Sequence, residues 1–486
     1  MSTENLKKNT VSGIIWKLAE RIGAQVVSMV VSIILARLLT AEDYSVVGIV
    51  TIFFTFANVI ISSGFNTALI QKKDADIEDY SSVLYISLAL SAVLYIILFF
   101  TAPLISSIYS MPILIPVIRV MGITLIINAF QSILCAYISS KLQFKKFFLS
   151  TLGGVIVSAI VGIGMAVSGF GPWALVAQQM TNSVIGTVIL ALTTRVKFAL
   201  VFNLEKVKGL FNYGWKILVS AIITVIYDEI NPLIIGIRFT TSDLSYYTKG
   251  KSFPSLISNA INDTLSSVLF PVISKIQDDI GAVLNCTRRF IKVASYLVFP
   301  LMVGFLAVSD SFVRVVLTDK WMPASIYIQI FCLSYMFNII QHGNLQAIRA
   351  IGRSDIVLIL EIIKKSIYFV VILAFILLSN KPQLLAVTAV INTVFATAIN
   401  TYPNRKLIGY KYRMQIMDLL PNFLLAAAMG AAVFALKLLN LAPIALLPLQ
   451  ILVGAVVYVL GSIITRNENF YYLLSYIKGV MQKKKG

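Results

Sequence analysis

The chain has 486 residues, of which 58% are hydrophobic and only 13% are charged, and its mean hydropathy is +0.88. Soluble domains carry about 25% charged residues, so this composition excludes a soluble protein and indicates one that crosses a membrane many times. The formal charge of +19 does not indicate nucleic-acid binding, because the basic residues form short clusters between apolar runs, as in loops that face an anionic leaflet.

Apolar runs long enough to cross a bilayer predict an all-α polytopic membrane protein with about 14 transmembrane helices. An even number of spans places both termini on one side. Because 31 of the 40 Lys and Arg residues fall on that side, the positive-inside rule predicts cytoplasmic termini. The first apolar run lacks a cleavage pattern and is expected to be retained. The spans are predicted near 12–37, 44–66, 81–108, 113–140, 147–168, 172–194, 213–238, 243–273, 287–309, 323–346, 355–378, 383–402, 418–439 and 443–464.

Two segments on the inner side are predicted to lie along the membrane surface. Between Thr193 and Asn212, apolar residues alternate with Lys197, Lys206 and Lys208, which predicts an interfacial amphipathic helix. The tail NFYYLLSYIKGVMQKKKG has the same pattern. A solvated linker and a disordered tail are the alternatives.

Spans 1 and 7 resemble each other at an offset of about 200 residues, and the six spans from one copy to the next give both copies the same orientation. This parallel repeat predicts two six-helix lobes around a central cavity, followed by two C-terminal helices. The lobes are predicted at 1–200 (spans 1–6) and 201–410 (the interfacial linker helix and spans 7–12), with spans 13–14 and a basic cytoplasmic tail at 411–486. The matching residues are Trp16-Lys17 and Trp215-Lys216, then Arg37, Asp43 and Tyr44 against Arg238, Asp243 and Tyr246.

Span 7 carries two carboxylates, Asp228 and Glu229, near its middle. A charge at the bilayer centre costs about 2.5–3.5 kcal/mol, so these groups must face a polar environment. Lys216, Ser220, Thr224 and Asp228 recur every four residues and therefore lie on one helix face. The carboxylates are candidates for binding a coupling cation, exchanging protons or neutralising nearby cations, with a structural hydrogen bond as the alternative.

Four stretches of the chain carry a family resemblance: IILARLLTAEDYSVVGIV, GFNTALIQKKD, SSVLFPVISKIQDD and VVLTDKWMPA. They resemble the Wzx-type polysaccharide-repeat flippases, close to the colanic and teichuronic acid exporters. These flippases belong to the multidrug/oligosaccharidyl-lipid/polysaccharide exporter superfamily. The resemblance implies two six-helix bundles around a cavity, and export of an undecaprenyl-diphosphate-linked oligosaccharide by alternating access. The exporter would act in the bacterial cytoplasmic membrane, for exopolysaccharide, O-antigen or teichuronic-type polymers.

Such a substrate needs a hydrated path with cations for its diphosphate. Instead of binding substrate, Lys17 and Lys216 could extend their ammonium groups to the inner lipid headgroups. The small polar residues could serve helix packing instead of lining a cavity. The candidate diphosphate contacts are Lys17, Arg21, Lys216, Lys249, Lys251 and Arg119. The candidate coupling or counter-charge groups are Asp228, Glu229 and Glu20, and the candidate polar cavity residues are Asn58, Asn231, Asn259, Asn262 and Asp263.

A non-enzymatic secondary transporter is therefore the preferred hypothesis. No GxxxxGK[ST] motif occurs, so we expect no bound nucleotide. We also expect no metal site and no other cofactor apart from a coupling cation, H+ or Na+. The expected partners are the lipid-linked oligosaccharide, the bilayer and, functionally, a polysaccharide polymerase. A cation-coupled multidrug antiporter of the same superfamily is the first alternative. A membrane-embedded polymerase or ligase is the second, and the short outer loops disfavour it.

Overall fold

The structure, a computed structural model, describes residues 23–72, 74–141, 143–378 and 380–483. This part of the chain is helical and contains no strand, which confirms the predicted all-α class. A π-helix (Val313–Leu317) and a 3-10 helix (Asp319–Trp321) follow α9, and a 3-10 helix (Leu436–Leu439) follows α13. The α-helices are α1 Gly23–Leu38, α2 Ala41–Gln71, α3 Ile77–Tyr109, α4 Leu114–Ser140, α5 Phe144–Val167, α6 Pro172–Thr194, α7 Leu204–Arg238, α8 Thr241–Lys275, α9 Ile280–Phe312, α10 Ala324–Ala350, α11 Ser354–Leu378, α12 Pro382–Leu407, α13 Tyr412–Ala435, α14 Pro443–Ile464 and α15 Glu468–Lys483.

Within the described residues, 11 helices are long and apolar enough to cross a membrane, so the chain is a multi-pass membrane protein. They are α2 to α7, α9, α10 and α12 to α14. Helix α1 is described only from Gly23, α8 is rich in polar residues, and α11 contains Glu361, Lys364 and Lys365. The count of about 14 spans stays a prediction.

Helices α2 and α8 begin with the same hydrogen bonds, 200 residues apart. The Thr40 hydroxyl accepts from the Asp43 backbone N–H at 3.1 Å, and the Asp43 carboxylate accepts from the Thr40 N–H at 2.9 Å. Thr240 and Asp243 form the same pair of bonds, each at 3.2 Å. Such a capping box satisfies backbone donors that a helix start leaves open. The sequence similarity of the two copies is therefore also a similarity of local structure.

The chain divides by its contacts into unit 1, Met1–Ser245, and unit 2, Tyr246–Gly486. Helix α7 belongs to unit 1 because it runs along α2. Near one end of the pair, a Cβ on Gly214 would lie 2.5 Å from the Gly64 carbonyl oxygen, so only glycine permits this approach. The first turn of α8 is also bound to α2, because the Ser245 hydroxyl donates to the Ala41 carbonyl at 2.6 Å. The predicted lobe boundaries at 200 and 410 stay predictions.

The stretch predicted as an interfacial helix before span 7 is helical only in its second half, and its interfacial location stays a prediction. Residues 195–203 are not helical and form a strap, and residues 204–212 are the first turns of α7. The strap is held by side chains of α3: the Ser81 hydroxyl accepts from the Ala199 N–H and the Ser82 hydroxyl from the Asn203 N–H, each at 2.9 Å. These bonds replace those that a helix would supply. The predicted helical tail is confirmed as α15 over the residues that the structure describes.

Candidate functional site

The polar residues predicted to share one face of span 7 lie on the exposed face of α7. Lys216, Ser220, Thr224 and Asp228 are all exposed, and Glu229 is partly buried. In the most apolar stretch of α7 only 11% of the residues are buried, against 56% in α10. Helix α7 therefore presents most of its surface, including the Asp228 carboxylate and the Lys216 ammonium, away from the packed interior.

Asn231 does not lie on this exposed face. It is 2% exposed, and the neighbouring Pro232 is buried with it. The side of α7 that contains Asn231 is therefore the packed side. Helix α7 therefore has polar residues on its exposed face, and Asn231 and Pro232 on its buried face.

Lys249, in unit 2, is enclosed rather than open. Its side chain is buried, and its ammonium nitrogen lies 5.9 Å from the ring centroid of Phe253 and 5.8 Å from that of Trp321. Both distances suit cation–π contacts. Lys251, two residues later on α8, is only partly buried. The two lysines point to different sides of the helix, because residues two apart on a helix do not share a face.

The turn that carries Trp321 has strained backbone. Thr318 has a φ of 85°, which a β-branched side chain rarely adopts, and it separates the π-helix of residues 313–317 from the 3-10 helix of residues 319–321. Trp321 itself is fully buried and meets Tyr246 edge-on at 5.9 Å. Strain of this kind persists only where surrounding packing maintains it. The buried tryptophan thus fixes the aromatic wall beside Lys249.

The residues predicted to line a polar cavity differ in burial and in hydrogen bonding. Asn58 donates to the Phe54 carbonyl at 2.9 Å and accepts from Asn128 of α4 at 3.2 Å. Asn262 donates to the Ser258 hydroxyl at 3.1 Å, whereas Asn259 is exposed. Lys17, Glu20 and Arg21 lie outside the described residues, and the side chain of Asp263 lies outside the described side chains.

Arg119 lies against α3. Its guanidinium carbon is 4.2 Å from the ring centroid of Phe99, and the Tyr95 hydroxyl donates to the Arg119 carbonyl at 3.1 Å. The Nε atom of Arg119 is buried and has no acceptor among the residues that the structure describes. This arginine is therefore stacked on an aromatic ring with hydrogen-bonding capacity unused.

A buried charged network between α9 and α13 was not predicted. Arg288 donates to both carboxylate oxygens of Asp418 at 2.8 Å, Lys292 lies 3.4 Å from the same carboxylate, and the Tyr410 hydroxyl donates to it at 2.9 Å. The Asp418 side chain is 3% exposed. Burial raises the pKa of the Tyr410 phenol, so it stays a donor. The signal in the sequence is that Asp418 is the only acidic residue of α13, but Arg288 and Lys292 lie far away along the chain.

A second unpredicted cluster consists of amides where α10, α12 and α13 meet. Asn404 donates to the side-chain oxygen of Asn344 at 2.8 Å, Gln415 donates to the same oxygen at 3.1 Å, and Thr401 donates to Gln415 at 3.1 Å. All four residues are buried. Buried and hydrogen-bonded, these amides specify how the three helices pack.

The strap of residues 195–203 is closed by ion pairs. Lys206 lies 2.7 Å from Asp76 and 2.7 Å from Glu78, and Asn203 also donates to Glu78 at 3.1 Å. The Lys206 ammonium holds the pKa of the Asp76 carboxyl at about 2, and the two carboxylates raise the pKa of Lys206. The entry to α7 is thus fixed to the start of α3.

Comparison with known proteins identifies the class to which this fold belongs. Over 94% of the chain, the structure resembles the lipid II flippase MurJ in an inward closed conformation, with a TM-score of 0.77, 15% sequence identity and 99% of that chain covered. The fold is therefore MurJ-like.

The chain belongs to the polysaccharide biosynthesis protein family, whose model matches residues 34–326, more than half of its length. It is 22% identical to the teichuronic acid biosynthesis protein TuaB of Bacillus subtilis over 89% of this chain and 90% of that protein. It is 21% identical to the lipopolysaccharide biosynthesis protein WzxC of Escherichia coli over 88% of each chain. The resemblance to Wzx-type and teichuronic-acid exporters inferred from the sequence motifs is confirmed.

Proposed function

We propose that the protein moves an undecaprenyl-diphosphate-linked oligosaccharide repeat unit from the cytoplasmic to the outer leaflet of the bacterial cytoplasmic membrane by alternating access. The observation that carries this proposal is membership of the polysaccharide biosynthesis family over residues 34–326. The MurJ-like fold supports it, since it is a fold known to serve a lipid-linked substrate. Both termini are placed in the cytoplasm, and the protein acts without nucleotide and as a transporter rather than an enzyme.

The exposed face of α7 supports a role in the path. A diphosphate needs cations that are accessible, and Lys216 is exposed on the same face as Asp228. Asp228 and Glu229 are the groups assigned to a coupling cation, H+ or Na+, or to neutralising the lysine when no substrate is present. Lys251 is the accessible cation on α8, whereas Lys249 is enclosed by Phe253 and Trp321.

The rival function is a cation-coupled multidrug antiporter. A drug site would favour an aromatic, weakly cationic surface. On α7 the exposed Trp215 is followed by the exposed Lys216, and Asp228 is exposed further along the helix, so the surface is charged as well as aromatic. Lys216 supplies the cation that a phosphate-bearing substrate needs and that a site for an apolar cation would not use.

A deletion strain distinguishes the two functions. We expect complete lipid-linked repeat units to accumulate on the cytoplasmic face of the membrane and to be exported again when the wild-type gene is restored. Normal polymer together with increased drug sensitivity would overturn the proposal in favour of the antiporter.

Charge reversal tests the assigned cation on α8. Lys251→Glu is expected to reduce export at least tenfold, because one charge-assisted contact to phosphate contributes about 1.5–3 kcal/mol. Lys320→Glu, which reverses a charge in the exposed turn before Trp321, serves as the control and should export normally. Wild-type export by the Lys251 variant would remove that lysine from the path.

A further inference from the structure

Unit 1 has an apolar cavity of about 370 Å³ on the surface formed by α3, α4 and α6. Ligand pockets start at roughly this size. Thr187 contributes the only hydroxyl group of the lining, and its oxygen has no partner among the described residues. The remaining lining residues are Leu88, Ile126, Ile127, Phe130, Val184 and Val188. Sugar hydroxyls would find almost no partners here, so the cavity suits a hydrocarbon chain.

Arg119 lies on the same face of α4 as this cavity. Residues 119, 123, 126, 127 and 130 recur at helical spacing, and Ile123 between the arginine and the cavity is 43% exposed. From Arg119 to Ile127 the distance along the axis is about 12 Å, at 1.5 Å per residue. On α3, Leu88 in the cavity and Tyr95 and Phe99 beside Arg119 also share one face. A cation therefore lies about two turns from an apolar cavity, on the side of the helix end predicted to be extracytoplasmic.

The surroundings of Arg119 are built for a charged partner that the chain does not supply. Its guanidinium is stacked on Phe99, and its buried Nε has no acceptor among the described residues. Tyr95 packs directly on Gly122, where any Cβ would collide with the ring, and this contact brings the Tyr95 hydroxyl to the Arg119 carbonyl. The aromatic side chains thus fix the position of the arginine, whose side chain as a whole is only partly buried and can meet a ligand with its terminal nitrogens.

We propose that this surface binds one anionic phospholipid of the outer leaflet, with its phosphodiester on Arg119 and one acyl chain in the cavity of α3, α4 and α6. A guanidinium fork matches phosphate oxygens, and an exposed apolar groove beside it matches a chain. A single phosphodiester is the matching charge, because Arg119 is the only Lys or Arg in α3, α4 or α6. A diphosphate would need further cations.

The test is lipid retention by the purified, delipidated full-length chain, measured by native mass spectrometry. The probes are phosphatidylglycerol and phosphatidylethanolamine with identical acyl chains. We expect phosphatidylglycerol to be retained by the wild type, with at least tenfold weaker binding by Arg119→Gln and weaker retention of phosphatidylethanolamine. Arg314→Gln, which neutralises an exposed arginine of unit 2, is the matched control and should bind as the wild type does.

A second variant tests the cavity independently of the arginine. Val188→Phe fills the apolar space and leaves Arg119 in place, so it should also lower phosphatidylglycerol retention, and Arg119→Lys should restore part of it by keeping the charge. Equal retention by wild type and Arg119→Gln would overturn the site. Displacement of phosphatidylglycerol by equimolar undecaprenyl phosphate would overturn the phospholipid assignment and give the site to the exported lipid. The measurement follows lipid retention, so it does not depend on the proposed export function.

Discussion

Helix α7 and the interface between α9 and α13 contain the same kinds of charged residue in opposite environments. On α7, Lys216 and Asp228 are exposed, and the helix has few buried residues. Between α9 and α13, Asp418 is 3% exposed and is bound by Arg288 and by Tyr410. The Asp418 carboxylate is enclosed by its partners and stabilises one arrangement of α9 and α13, whereas Lys216 and Asp228 are exposed. The difference indicates a stabilising role for the network of unit 2, and the proposed function gives the face of α7 a role in transport.

The largest effect on stability is expected at Asp418. Removing one partner of a buried ion pair costs about 3–5 kcal/mol because the remaining charges lose their compensation. Asp418→Asn leaves Arg288 and Lys292 without their shared carboxylate and should lower the unfolding temperature of the purified protein by several degrees. Asp319→Asn is the control, since that carboxylate is 86% exposed and lies 3.8 Å from Arg314. An equal shift in both variants would contradict the stabilising role of the network.

A smaller loss is expected where α7 crosses α2. Gly214→Ala places a methyl group 2.5 Å from the Gly64 carbonyl oxygen, so the helices must separate, at a cost of about 1–3 kcal/mol. Gly209→Ala, in the same helix, meets nothing within 4 Å and should be neutral or stabilising by up to about 1 kcal/mol. Thermal unfolding of the two variants side by side checks the prediction. If Gly214→Ala lowers the unfolding temperature and Gly209→Ala does not, the close approach of Gly64 and Gly214 sets how α7 crosses α2.

The sequence predicts those features that depend on nearby residues. Hydropathy located the 11 long apolar helices, and the four-residue period placed Lys216 and Asp228 on one helix face. The repeat matched Asp43 with Asp243, and both prove to lie in equal capping boxes. Contacts between distant residues could not be predicted. Asp418 meets Arg288 130 residues away, and the strap at Asn203 is held by Ser82 121 residues away. A pattern within one segment contains no information on such partners.

A loss of about 1 kcal/mol is expected when one hydroxyl that holds the strap is removed. Ser82→Ala takes away the acceptor of the Asn203 backbone N–H, so that amide should exchange its hydrogen for deuterium faster. Ser168→Ala is the control because the Ser168 hydroxyl is exposed and bonds only within its own helix end, to Gly164 at 2.9 Å. Unchanged exchange at Asn203 would mean that the strap is held by other contacts.

The smallest effect is expected from the exposed pair of Asp76 and Lys206. The pKa of Asp76 is lowered from 3.8 to about 2 by its bond to Lys206, so its stabilising contribution is present above pH about 4 and disappears as the pH falls toward 2. The difference in unfolding temperature between wild type and Asp76→Asn should therefore be constant from neutral pH to about pH 4 and then shrink. A difference that persists undiminished at pH 2 would contradict the assignment of this pKa.

The central claim is tested most directly by export per folded molecule in the double variant Asp228→Asn, Glu229→Gln. Both substitutions keep the shape of the side chains and remove the charges from the exposed face of α7. Glu205→Gln, an exposed acid at the other end of α7, is the matched control. We predict at least a tenfold loss of lipid-linked repeat export with an unfolding temperature equal to that of the control. Undiminished export, or a loss that only follows a reduced amount of folded protein, would contradict the account.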